Sequence, residues 1–63
     1  MRRVSMTLEA GGIQFDVFAR HEPYDDTVWI DRVELDGVNL FEVLDDAIIN
    51  ELEQQAWRDV TRG

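Results

Sequence analysis

Cysteine and lysine are absent from this chain, and proline occurs once, at Pro23. Without cysteine there is neither a disulfide framework nor a thiolate metal site to staple a small core. Stability must therefore come from packing, and self-association would add to it. Long apolar runs are missing as well, since no stretch approaches the roughly 18 consecutive apolar residues that a membrane helix needs. Met1, Arg2 and Arg3 open the chain with positive charge, but Val4, Ser5, Met6, Thr7 and Leu8 then alternate where a signal peptide would be continuously apolar. The expectation is a soluble, cytoplasmic protein without a membrane partner. A chain of 63 residues leaves room for one core, because a chain of that length buries only about 60% of the surface it exposes when unfolded. Residues 1–63 are read as a single domain. With 44% hydrophobic and 10% aromatic residues, the chain has more apolar material than a disordered segment of similar charge and should fold.

Charge of one sign is also scarce. Six arginines face 14 carboxylates, giving a formal net charge of −8. The imbalance is concentrated: Glu22 to Asp59 carry 12 carboxylates against Arg32 and Arg58, a local balance of −10, while residues 1–21 sum to +1. Such a field repels phosphate backbones and anionic membranes and attracts basic proteins. Direct nucleic-acid binding is disfavoured.

Val4, Met6, Leu8 and Ala10 alternate with Ser5, Thr7 and Glu9, the period of a strand with one buried face. Gly11 and Gly12 suit the two positive-φ positions of a tight turn, and Ile13, Phe15, Val17 and Ala19 resume the alternation, so residues 4–20 read as a β-hairpin. Phe18 falls on the polar face of the second strand, where a ring lies in water unless something covers it. His21 to Asp26 read as an exposed connection, and a third strand starts at Thr27. If Trp29, Val33 and Leu35 face the core, Val28 and Ile30 join Phe18 on the outer face, unless a bulge near Asp31 resets the register. Asp36 and Gly37 signal a second turn. Asn39 with Glu42 fits a helix N-cap and capping box, while Asp45 and Asp46 could instead cap a fresh start. Ile48, Leu52, Ala56 and Val60 then recur at four-residue spacing, flanked by Ile49 and Trp57. The expected fold is α+β: a three-stranded antiparallel sheet in β-β-β-α order, with a helix from about Leu40 or Asp46 to Val60 packed on one face.

No catalytic set emerges from these residues. His21 has no cysteine to activate, and Asp25–Asp26 and Asp45–Asp46 sit where aspartate caps turns and helices. The segment from Asp31 to Glu42 lacks the spacing of a calcium loop, and Gly11–Gly12 precede neither a helix nor a lysine that could hold phosphate. No enzyme activity, metal or cofactor is expected. What remains is the surface. Asp25, Asp26, Asp31, Glu34 and Asp36 beside the third strand, with Asp45, Asp46 and Glu51 on the helix, could imitate the spacing of backbone phosphates and occupy a basic groove built for nucleic acid. The expected partner is a basic nucleic-acid-binding protein. The alternative is a homo-oligomeric module, a homodimer being the simplest case, with contacts through Phe18, Val28, Ile30, Tyr24 and Trp57.

The run Val33-Glu34-Leu35-Asp36-Gly37-Val38-Asn39-Leu40, followed by Leu44-Asp45-Asp46-Ala47-Ile48-Ile49-Asn50-Glu51-Leu52-Glu53, resembles the strand, turn and acidic helix of small orphan proteins carried by bacteriophages. Among these are anti-CRISPR inhibitors, some of which are similar to DNA in charge distribution. The likeness implies an inhibitor acting in the cytoplasm of a phage host, or a phage structural or assembly module.

Overall fold

The computed structural model describes residues 2–62. Four strands, β1 (Arg2–Ala10), β2 (Ile13–Glu22), β3 (Thr27–Leu35) and β4 (Val38–Asn39), precede one helix, α1 (Asp46–Thr61). The strands form an antiparallel meander in the order β1-β2-β3-β4. The α+β class and the single packed helix are as expected, but the sheet has four strands where three were expected. The difference lies at Asp36 and Gly37. Their φ values of 53° and 82° build a two-residue turn that pairs Leu35 with Val38, and the hairpin it makes is too short to show an alternating pattern of its own.

The first hairpin follows the same logic at greater length. Gly11 and Gly12 hold φ of 61° and 79°, so the turn matches the right-handed twist of the flanking strands and Ala10 pairs with Ile13. Side chains then alternate: Phe15, Val17 and Ala19 are buried on the helix side of β2, and His21 continues that row. His21 is thus a buried strand residue and not part of a solvated loop. Its Nε2 lies 3.2 Å from Asp26 Oδ1, which satisfies a polar ring that the core would otherwise penalise.

The bulge near Asp31 exists. Ala19 pairs with Ile30 and Phe18 with Arg32, so Asp31 is the extra residue. Before it, Val28 and Ile30 face the helix; after it, Val33 and Leu35 do. Trp29 therefore lies on the open face, opposite Arg20, and Ile30 is a core residue at 8% exposure.

The chain between β4 and α1 is not helical throughout. Leu40 N–H extends the ladder to the Val33 carbonyl at 2.7 Å, and Val43 and Leu44 N–H both return to the Leu40 carbonyl. The Asn39 carboxamide accepts from Phe41 N–H at 3.1 Å, so it caps this single turn instead of a long helix. Leu40, Phe41 and Leu44 stand at helical spacing from Ile48 and Leu52, so the apolar pattern alone would also fit a helix running on toward the core. The chain breaks at Leu44 instead, with those three packed against the core and Val43 left outside. The helix restarts at Asp45, whose carboxylate accepts from Ala47 N–H at 2.9 Å.

α1 crosses the sheet on one face. Leu52 and Ala56 are fully buried; Leu52 joins Phe15, Val17, Ile30 and Val33 in one core cluster, with Ile48 and Ile49 at the helix start packed on it. Ile48 Cδ1 comes near enough to Gly11 that a Cβ there would meet it at 3.3 Å. At the far end, Trp57 Nε1 donates to the Asp26 carbonyl at 3.2 Å, tying the helix to the β2–β3 turn.

Candidate partner-binding surfaces

Because α1 covers only one side of the sheet, the other side carries the alternate residues of the strands in the open. Phe18 and Trp29 lie there with Arg3, Arg20 and Arg32. The Arg32 guanidinium stands 4.5 Å from the centre of the Phe18 ring, and Arg20 stands 6.0 Å from that of Trp29, within the range of cation–π attraction. Each arginine also has an acid beside it: Arg20 Nε is 2.9 Å from Asp31 Oδ1, and Arg32 Nε is 2.8 Å from Glu34 Oε2. Arg3, Ser5, Phe18, Asp31 and Arg32 line a shallow depression of about 480 Å³ on this face.

The eight carboxylates singled out from the sequence do not converge. Asp31 and Glu34 lie on the open face, each against an arginine. Asp25 and Asp26 belong to the β2–β3 turn at the end of the molecule where α1 finishes, and Asp26 is engaged with His21 and Trp57. Asp36 sits in the β3–β4 turn at the opposite end. Asp45, Asp46 and Glu51 lie on the first half of α1 and just before it. Together with Glu42 and Glu53, these last three make five exposed carboxylates between residues 42 and 53 with no basic residue in the segment; Glu51 and Glu53 stand on different sides of the helix, Glu53 beside Val28 and Trp57 and Glu51 beside Gln55 and Arg62. None of the five has an ion-pair partner among the described residues. The sequence already places Glu53 on the helix with Asp46 and Glu51, whereas Glu42 lies in the segment before it.

The five residues expected to form an apolar self-contact do not share one surface either. Phe18 is half-buried on the open face under Arg32. The bulge turns Val28 and Ile30 to the helix side, where Ile30 enters the core. Trp57 is on α1, beside Val28 across a shallow groove, and Tyr24 stands alone at 94% exposure in the β2–β3 turn. One apolar patch made of Phe18, Val28 and Ile30 is therefore excluded by the register of β3.

Among the described residues no three of histidine, aspartate or glutamate are grouped to hold a metal ion, and no helix is long and apolar enough to cross a membrane. Comparison with family models, with curated proteins and with solved structures finds no match to this chain.

Proposed function

We propose that this protein is an acidic binding module that engages a basic nucleic-acid-binding protein and inhibits it by occupying its nucleic-acid groove. The observation that carries this reading is the set of five exposed carboxylates at and before the start of α1: Glu42, Asp45, Asp46, Glu51 and Glu53. A rigid helix holds Asp46, Glu51 and Glu53 at fixed spacing, and acids that no arginine neutralises leave their field directed at a partner. Asp31 and Glu34 contribute less, because their charge is already balanced by Arg20 and Arg32.

Neutral, nearly isosteric substitutions test the assignment without disturbing packing. Affinity capture from host lysate at low and high salt is expected to recover a basic nucleic-acid-binding protein at low salt only, since contacts of this kind are screened. The Asp46→Asn, Glu51→Gln, Glu53→Gln variant is expected to lose that protein, whereas Asp31→Asn with Glu34→Gln retains it. Equal recovery by both variants would show that the helix acids are only a solvated surface.

A further inference from the structure

β1 is an edge strand along its whole length, with β2 as its neighbour on one side only. The first turn closes on the Ala10–Ile13 pair, the positions that share the hydrogen bond across a β-turn. Bonded and non-bonded pairs alternate along an antiparallel ladder. Even-numbered residues of β1 thus turn their backbone groups toward β2, and the odd-numbered Arg3, Ser5, Thr7 and Glu9 turn theirs outward. The Glu9 carbonyl agrees with this phase, because it accepts from a helix side chain, the Gln55 amide, at 2.6 Å. Sheets protect such edges with proline, a bulge or inward-pointing charge. Between Arg3 and Ala10, β1 has no proline, pairs with β2 without a bulge, and presents the apolar, half-buried Val4, Met6 and Leu8 on the helix side.

We infer that β1 pairs antiparallel with β1 of a second copy of this chain, about a twofold axis at Met6, so that two sheets join into one. Charge selects the register. With the axis at Ser5, Arg3 would face Thr7, and with the axis at Thr7, Glu9 would face Ser5. With the axis at Met6, Arg3 faces Glu9 at both ends of the seam, Ser5 faces Thr7, and on the helix side Val4 faces Leu8 and Met6 faces Met6. Opposite charges, hydroxyl pairs and apolar pairs are the cross-strand combinations that stabilise a ladder. Arg3 and Glu9 are both exposed, and neither has an ion-pair partner among the described residues. The Gln55 amide covers the Glu9 carbonyl in the single chain and swings aside, or shares it, on pairing.

Sedimentation velocity over a rising concentration series is expected to show a monomer–dimer equilibrium. Glu9→Arg places arginine against Arg3 twice and is expected to weaken the dimer by about tenfold or more. The swap Arg3→Glu with Glu9→Arg restores the pairing and is expected to bring the dimer back. Met6→Cys places one thiol on the axis at a closely spaced, non-bonded pair. It is expected to give a disulfide-linked dimer on mild oxidation, while Val38→Cys on the other edge of the sheet stays unlinked. Circular dichroism identifies any variant that has lost its fold, and the cross-linking then decides. A wild type that remains monomeric throughout, a folded swap that does not recover the dimer, or equal cross-linking at positions 6 and 38 overturns the inference.

Discussion

Leu52 is wholly excluded from solvent at the centre of the helix stripe, in one core cluster with residues of all three long strands. Leu52→Ala removes buried methyl groups and leaves a cavity, which costs roughly 2 to 5 kcal/mol. A domain this small has few kcal/mol in total, so thermal denaturation should show a large fall in Tm or no cooperative transition. A Tm equal to that of the wild type would mean that the stripe does not hold the sheet. Leu52 was legible from the sequence because its four-residue spacing with Ile48 and Ala56 admits one face only. His21 was not, since the turn residues after it suggested that the strand had already ended. The alternation of Phe15, Val17 and Ala19 runs on through His21, and that period was the available signal for its burial.

Among the elements, the first hairpin and the helix could be read directly, because two glycines and a helical stripe are strong local signals. β4 was hidden by its length of two residues, although Asp36-Gly37 is a dipeptide that favours a two-residue hairpin. The start of α1 was ambiguous because a capping sequence serves a single turn as well as a long helix and the apolar spacing fits both; the extended Asp45, whose carboxylate accepts from Ala47 N–H, marks the start. In β3 the apolar residues 28, 30, 33 and 35 are spaced two, three and two apart, which one extra residue explains. Deleting Asp31 should consequently be tolerated, although losing one residue from mid-strand normally turns half of its side chains to the wrong face. Without it, Ile30 still opposes Ala19 and Arg32 still opposes Phe18, in a regular ladder. The expected outcome is a folded protein with retained near-ultraviolet circular dichroism, lacking only the Arg20–Asp31 ion pair, which at the surface is worth about 0 to 1 kcal/mol. An unfolded deletion variant would show that the bulge is required for the sheet.

At the scale of the whole molecule, charge is partitioned: acids without ion-pair partners among the described residues lie on and just before the first half of α1, while on the open sheet face Arg20 and Arg32 are paired with Asp31 and Glu34. The sequence shows the excess of acid but not this division, since it depends on which face each strand residue takes after the bulge. With a net charge of −8, self-repulsion opposes the compact state, and added salt should raise Tm by screening it. A fall in Tm with moderate sodium chloride would mean that the arginine–carboxylate pairs outweigh the repulsion. The separation of the two faces also has an optical consequence. Trp29 lies on the open face beside Arg20, while Trp57 is held at the end of α1 by its bond to the Asp26 carbonyl. Each surface therefore carries its own fluorophore. With Trp29→Phe, the remaining emission follows the docking of the helix end; with Trp57→Phe, it follows what approaches the sheet, so that events on the two sides can be timed independently in one small protein.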